Sequence, residues 1–141
     1  MTRFLIVLDT VILLGAIIGK PQSADAQLVH KIATGELQLA LSDDGLREIV
    51  RVLAYPEIEE KIKRPVRAFE VALALGLMGQ LFHPKRLDWP SLQDPKDAWL
   101  LDLAFEASAD YLVSRDKHLL EVSKKLGFRT VTPPELLYDL K

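Results

Sequence analysis

Cysteine is absent from the 141-residue sequence, and histidine occurs only three times. The lack of cysteine excludes disulfides, zinc ribbons and thiol nucleophiles, and it agrees with a reducing cytoplasm, where we expect the protein to reside. The three histidines show no HExxH spacing, so no zinc site is expected. Lys and Arg (18) nearly balance Asp and Glu (20), which leaves no broad basic field. Any contact with a polyanion must therefore be local or mediated by a metal ion.

Apolar residues are plentiful, at 49% of the chain, and they are enough for one packed core in a protein of this length. We find no internal repeat, low-complexity stretch or linker, so residues 1–141 are predicted to form a single domain. The apolar pattern switches repeatedly between short continuous runs and helical stripes. This alternation predicts an α/β fold: a three-layer α/β/α sandwich around a mainly parallel sheet of four to five strands.

The N-terminus resembles a secretory signal, which is an alternative interpretation of its apolar residues. Arg3 would be the basic region, residues 4–19 the apolar segment, and Ala24-Asp25-Ala26 the cleavage site. Asp9 in the middle of the segment argues against this, because a central Asp costs roughly 2.5 to 3.5 kcal/mol on insertion scales. We therefore expect a folded N-terminal strand and no association with a membrane.

The remaining pattern predicts the order of strands and helices. Residues 4–8 form an unbroken apolar run, typical of a central strand covered on both faces. Gly127 and the Asp94-Pro95 pair mark a helix end and a helix start, with Asp94 at the N-cap and Pro95 at N1. The other predicted strands are 37–41, 80–83, 111–114 and 128–132, and the other predicted helices are 24–33, 42–53, 57–63, 65–78, 117–126 and one that begins at Pro133.

The predicted helix 65–78 is apolar over much of its surface, especially between Val71 and Met78. A helix that buries only one face needs fewer apolar residues than this. The excess predicts a homodimer.

Four acids are placed by this pattern near one edge of the predicted sheet. Asp9 ends the first strand, and Asp116 follows the fourth by two residues. Both therefore lie at the carboxyl edge, where ligands of open α/β sheets collect. Glu48 points away from the apolar stripe of its helix, and Asp97 lies in the first turn of the helix that follows Asp94.

Each acid also has an ordinary structural explanation. Asp97 at helix position N3 would interact favourably with the helix dipole, Asp116 would cap the helix that starts at Lys117, and Glu48 would be a solvated surface residue. Asp9 is different, because an Asp that closes a fully apolar strand is costly to bury unless it is paired, protonated or bound to a cation. Asp9 is therefore the strongest candidate for a functional acid.

The segments around these acids resemble the successive motifs of PIN domains, most strongly those of the toxin branch related to VapC ribonucleases. The segments are 7–10, 41–53, 94–97 and 109–120. The resemblance implies a Mg²⁺ or Mn²⁺ site of Asp9, Glu48, Asp97 and Asp116, which would also be the catalytic residues. It further implies supporting roles for Thr10 and Ser114, an RNA substrate, and a small antitoxin protein as partner.

The chemistry of the four acids agrees with metal-dependent hydrolysis. Two carboxylates about 5 Å apart repel by roughly 3 kcal/mol at an effective dielectric near 20, so converging acids need cations or raised pKa values. Hard oxygen ligands suit Mg²⁺ or Mn²⁺, which would activate water for attack on a phosphodiester. Arg115, Lys117 and His118 are candidate phosphate contacts, although solvated surface positions explain them equally well.

One residue departs from the family pattern. Val11 stands where the family commonly has Asn, so a side-chain hydrogen bond that would orient Asp9 or a metal-bound water is lost. Such losses typically cost about 10- to 100-fold in affinity or activity. The alternative is therefore a degenerate PIN domain that binds RNA or protein and cleaves weakly. A phosphatase is less well supported, because Val11 also breaks the Asp-x-Asp pattern of that class.

Overall fold

The structure is a computed structural model that describes residues 3–62 and 67–141. In these ranges it contains five strands, eight α-helices and a short 3₁₀ turn at Pro95–Asp97. The strands are β1 Phe4–Leu8, β2 Leu37–Leu41, β3 Gly79–Leu81, β4 Tyr111–Val113 and β5 Thr130–Val131. The helices are α1 Thr10–Ile18, α2 Ala24–Ala33, α3 Asp43–Leu53, α4 Pro56–Lys61, α5 Ala68–Met78, α6 Ala98–Ala107, α7 Lys117–Lys125 and α8 Pro133–Asp139.

All five strands are parallel, in the order β3-β2-β1-β4-β5. The apolar run of residues 4–8 is the central strand, as predicted, and it pairs with β2 on one side and β4 on the other. From β1 the chain first adds β2 and β3 on one side of the sheet, and then adds β4 and β5 on the other side. The strand order therefore reverses between β1 and β4, and in open α/β sheets a crevice for ligands opens at this point, beyond the carboxyl ends of the strands.

Both faces of the sheet are covered, as the unbroken apolar strands require. Alternate residues of each strand point to opposite faces, so Ile6 and Leu8 belong to one core and Val7 to the other. Helices α1, α2, α3, α5 and α8 contribute buried residues to the first core, while α6 and α7 contribute to the second. The predicted three-layer α/β/α fold is confirmed.

Several predicted boundaries differ from the structure. The last strand is two residues long instead of five, and the short strand lies at Gly79–Leu81 instead of 80–83. The predicted helices 57–63 and 65–78 correspond to α4 and α5, but their ends at residues 63 and 65–66 lie outside the described residues. Helix α1 was not predicted, because its nine residues are apolar on nearly all sides and show no helical stripe.

The segment after Asp94 begins with a 3₁₀ turn instead of the predicted α-helix. The Asp94 side chain accepts a hydrogen bond from the amide of Lys96, two residues on, and this tight local contact favours the 3₁₀ turn. Helix α6 begins one turn later, at Ala98. The prediction that Asp97 is the third residue of the helix was therefore wrong, because Asp97 ends the turn and is the N-cap residue of α6.

Helix α5 carries an exposed apolar stripe. Phe69, Leu73 and Leu77 are 70%, 53% and 89% exposed, while Leu75 on the opposite side is buried. The three residues recur every four positions and so lie along one face of the helix. Within the described residues, none of the helices is both long enough and apolar enough to cross a bilayer.

Candidate metal centre

The hydroxyl of Ser114 connects two of the predicted acids at the carboxyl edge of the sheet. It donates a hydrogen bond of 2.7 Å to Oδ2 of Asp9 and accepts one of 3.1 Å from the amide of Asp116. Ser114 itself is fully buried, and its amide is bound to β5. Asp9 follows β1, and its amide donates to the carbonyl of Val113 at the end of β4. The ends of the two strands at the reversal point are therefore joined through backbone and side chain.

Asp9 lies in an environment that disfavours its charge. Burial raises the pKa of its carboxyl above 3.8, and the negative charge of Asp116 raises it further. The hydrogen bond from Ser114 and the amides of Val11 and Thr10 oppose this rise without cancelling it. Hydrogen bonds thus offset only part of the cost of burying the charged carboxylate, and a cation beside it would stabilise that charge.

Asp97 is the most strongly perturbed of the predicted acids. It is half-buried, and burial together with the charges of Asp9, Asp94 and Asp116 raises its pKa from 3.8 to about 6. The negative charges of Asp9 and Asp116 therefore act on Asp97 as well as on the edge of the sheet where those two residues lie. Hydrogen bonds join Asp9 and Asp116 through Ser114, whereas Asp97 is related to them through the effect of their charges.

Asp116 also has the structural role that the sequence suggested. Its Oδ1 atom accepts hydrogen bonds of 2.9 and 3.2 Å from the amides of His118 and Leu119, which caps α7. The cap uses Oδ1, and Oδ2 takes no part in it. Capping and metal binding are therefore compatible at this residue, and the cap fixes the direction of the carboxylate.

Glu48, the fourth predicted acid, forms an ion pair within its own helix. Its carboxylate oxygens lie 2.6 and 3.2 Å from two guanidinium nitrogens of Arg51, which also contacts the Tyr55 hydroxyl. Glu48 does not appear among the charges that shift Asp9 or Asp97. In the described part of the chain, no three acidic or histidine side chains already lie close enough together to hold a metal ion.

The predicted phosphate contacts occupy three different environments. Lys117 is exposed at the start of α7. His118 is half-buried, and its Nε2 accepts a hydrogen bond of 3.1 Å from the amide of Gln93. Arg115 is paired with Asp25 of α2, at 2.7 and 2.6 Å. Of these three residues, only Lys117 has no hydrogen bond or ion pair from its side chain to another described residue.

Thr10 is the feature of the edge that most clearly fits a metal ion. Its side chain is buried directly after Asp9, and its hydroxyl has no hydrogen-bond partner among the described residues. A buried hydroxyl without a partner is unfavourable unless a ligand or its water completes it. Oxygen donors from three aspartates and a hydroxyl form the hard donor set that Mg²⁺ and Mn²⁺ prefer. The residues present therefore fit such an ion.

Sequence reasoning missed two contributors to this region. Asp94 was assigned only as a cap, yet its charge also acts on Asp97. Asp25 was considered only as part of a signal cleavage site, although it is 5% exposed and contacts Arg115. The available signal was its helical spacing, since Asp25 falls on the same stripe as the buried residues Leu28 and Ile32.

Comparisons with known proteins agree with this architecture. A family model described as PIN domain matches residues 5–118. No curated protein matches the sequence. One similar solved structure is a domain of a functionally unknown protein from Methanocaldococcus jannaschii, 13% identical with a TM-score of 0.56, where the match covers 92% of this chain and 91% of that one.

A second similar structure is that of VapBC2 from Rickettsia felis bound to a DNA fragment from their promoter. The matched chain is 14% identical with a TM-score of 0.57, and the match covers 91% of this chain and 98% of that one. At such low identity these two structures show the fold alone. The family match extends from β1 into the first turn of α7 and includes all four predicted acids. The chain therefore belongs to the PIN-domain family.

Proposed function

We propose that this protein is a Mg²⁺- or Mn²⁺-dependent endoribonuclease that hydrolyses RNA phosphodiesters. The observation that carries the proposal is the Ser114 hydroxyl, which joins Asp9 and Asp116 at the reversal point of the sheet. Burial and the charges of Asp9, Asp94 and Asp116 also raise the pKa of Asp97 to about 6. Carboxylates that repel one another bind a divalent cation more favourably than isolated ones. Such an ion, when bound, supplies an activated water and charge for the leaving oxygen.

The residues of the chain have distinct roles in this proposal. Asp9, Asp97 and Asp116 hold the ion, and Ser114 orients Asp9 through its 2.7 Å hydrogen bond. Thr10 offers its unpartnered hydroxyl to the ion or to a water bound to it. Glu48 joins the site only if its carboxylate exchanges Arg51 for the ion or a metal-bound water.

Substrate binding would be local, because the chain has a formal charge of −2. Lys117 is the exposed cation nearest in sequence to Asp116, and Arg115 and His118 flank this part of the chain. Lys117 is the residue best placed to contact an RNA phosphate without first breaking another contact.

Regulation by a small antitoxin protein is part of the proposal. It is supported by family membership and by the likeness in fold to the VapBC2 structure. We further propose that the protein acts in the cytoplasm as a single domain. The chain would form a homodimer through the apolar stripe of Phe69, Leu73 and Leu77, because these side chains otherwise remain in water.

A second candidate function is a binding module that cleaves poorly. Val11 favours it, since this side chain is 57% exposed in the first turn of α1 and offers no polar atom beside Asp9. The fold and the three aspartates would be retained, while an Asn-dependent contact would be lost.

Cleavage of a fluorescent RNA separates the two functions. We expect the parent to cut in Mn²⁺ and not in EDTA, and Asp9→Asn to show no cleavage under either condition. Asp139→Asn, an exposed carboxylate change at the end of α8, is the matched control and should cut like the parent. Cleavage that persists in EDTA or in Asp9→Asn would contradict the proposal, and RNA binding without cleavage by the parent would support the binding module.

A further inference from the structure

Asp25 is a buried carboxylate that belongs to neither the proposed metal ligands nor the helix caps. It lies in the first turn of α2, where Ser23 is the capping residue. The residue is 5% exposed, and its Oδ2 and Oδ1 atoms lie 2.7 and 2.6 Å from Nη1 and Nη2 of Arg115, respectively. The pair consists of one hydrogen bond, from Nη1 to Oδ2, and one close charge contact to Oδ1, which has no hydrogen-bond partner among the described residues. The hydrogen bond directs the guanidinium, and the ion pair balances the buried charge.

Helix α1 leaves space for this carboxylate at a glycine. A Cβ atom at Gly15 would lie 1.9 Å from Oδ2 of Asp25, which is far inside van der Waals contact. Asp25 therefore packs directly against the backbone of α1, the helix that starts after Asp9. Three elements meet at this one side chain: α1, α2 and the segment between β4 and α7.

Arg115 lies in the chain between Ser114 and Asp116, which are joined by a hydrogen bond to the Ser114 hydroxyl. The Ser114 hydroxyl donates a hydrogen bond to Asp9. Asp116 donates its backbone amide to that hydroxyl, and its side chain caps α7. The backbone of residues 114–116 is thus fixed at β4 and α7, and the Arg115 side chain ties it to α2. The Arg115 side chain is 44% exposed, so its contact with Asp25, and not burial, determines where the guanidinium lies.

We propose that Asp25 is a positioning residue for the metal centre. By holding Arg115 it fixes the 114–116 segment, and through this segment it sets the placement of the Asp9 and Asp116 carboxylates. The inference rests on the proposed metal-dependent function, because it concerns how well the same aspartates are arranged for an ion. Arg115 then acts as a structural link and not as a phosphate contact.

Calorimetric titration with Mn²⁺ tests the proposal, together with RNA cleavage kinetics. We expect Asp25→Asn to weaken Mn²⁺ binding about tenfold, the lower end of what is typical when support for metal ligands is lost. The kcat should fall while KM for RNA stays unchanged. Gly15→Ala should act in the same direction, because the added methyl displaces the Asp25 carboxylate without removing a charge. Glu36→Gln, which removes the exposed ion pair with Lys31, is the control and should bind Mn²⁺ like the parent.

A double variant distinguishes positioning from simple charge balance. Asp25→Asn with Arg115→Gln removes both charges, so the fold is not left with an unbalanced guanidinium even if the single variant fails to fold. Continued weak Mn²⁺ binding by the folded double variant supports positioning, and recovery of the parent affinity overturns it.

Two further results would overturn the inference but leave the proposed function intact. One is a lowered melting temperature in Asp25→Asn with parent-like Mn²⁺ affinity, which assigns Asp25 to stability alone. The other is a raised KM with unchanged kcat, which assigns Arg115 to the substrate. A parent protein that neither binds Mn²⁺ nor cuts RNA overturns the proposed function, and the inference with it.

Discussion

Replacing Asp97 by Asn should stabilise the metal-free protein at pH 7. The charged form of Asp97 is disfavoured by burial and by Asp9, Asp94 and Asp116, so a neutral side chain of nearly the same shape relieves that cost. The opposite sign is expected if Asp97 is only a helix-terminal carboxylate, because its loss would then cost about 0.3 to 1 kcal/mol. Within the described residues Asp97 makes no side-chain capping hydrogen bond, which favours the first outcome.

The size of the effect follows from the pKa of Asp97. A rise from 3.8 to about 6 corresponds to roughly 3 kcal/mol at about 1.36 kcal/mol per pKa unit. Asp97 is only half-buried, so solvent screening reduces the expected gain to about 1 kcal/mol.

The pH dependence has a definite sign. The folded protein binds the Asp97 proton more tightly than the unfolded chain does. This contribution to stability is complete below about pH 4 and is lost as the pH rises through about 6. Parent and variant should therefore differ most at pH 7 and converge near pH 4.

Thermal melts in EDTA and in Mn²⁺ measure both the sign and the response to metal. In Mn²⁺ at a hundredfold excess over its dissociation constant, the parent should gain about 2.7 kcal/mol, and Asp97→Asn should lose most of that gain. Asp139→Asn controls for the change in net charge. A variant that is less stable than the parent in EDTA and has an unaltered Mn²⁺ shift would refute the assignment of Asp97 to the metal centre.

Three other outcomes are expected. Val11→Asn should raise RNA cleavage by about tenfold or more in the same fluorescent assay, and an unchanged rate would show that Val11 does not weaken the site. Ser114→Ala should lower the free energy of unfolding by about 1 to 3 kcal/mol in denaturant titrations, because a buried carboxylate loses its hydroxyl donor; parent-like stability would contradict the role of the bridge to Asp9. Leu73→Glu with Leu77→Glu should convert a dimer into a monomer in light scattering, whereas a parent that is monomeric at tens of micromolar would exclude the dimer itself.

The order of strands and helices was largely predictable, because short apolar runs and helical stripes report burial directly. Residues 4–8 and 37–41 were assigned as strands with the bounds that the structure shows. Helix α1 was not predictable in this way, since a helix that is apolar on nearly all sides has no stripe. The delay of α6 by one turn depends on a hydrogen bond from the amide of Lys96 to the Asp94 side chain, which apolar patterning does not encode.

In the candidate site, only the residues that follow strands could be placed from the sequence. Asp9 and Asp116 follow neighbouring strands, so the topology alone places them at one edge. The prediction for Glu48 depended on which face of its helix the residue occupies. Its position on that face does not reveal its ion pair with Arg51. Asp25 meets Arg115 from a position 90 residues earlier in the chain, and no local pattern specifies such a pairing.

The pairing of β1 with β4 has a consequence for when the candidate site forms. The hydrogen bond between Asp9 and Ser114 joins residues that are 105 positions apart, and every strand contact that supports it is between parallel strands, which form late because long loops must close first. A fragment that ends before residue 111 contains Asp9, Glu48 and Asp97 but lacks β4, Ser114 and Asp116. Chains of this kind cannot assemble this edge of the sheet, so the candidate site is complete only when nearly the whole polypeptide has been made and folded.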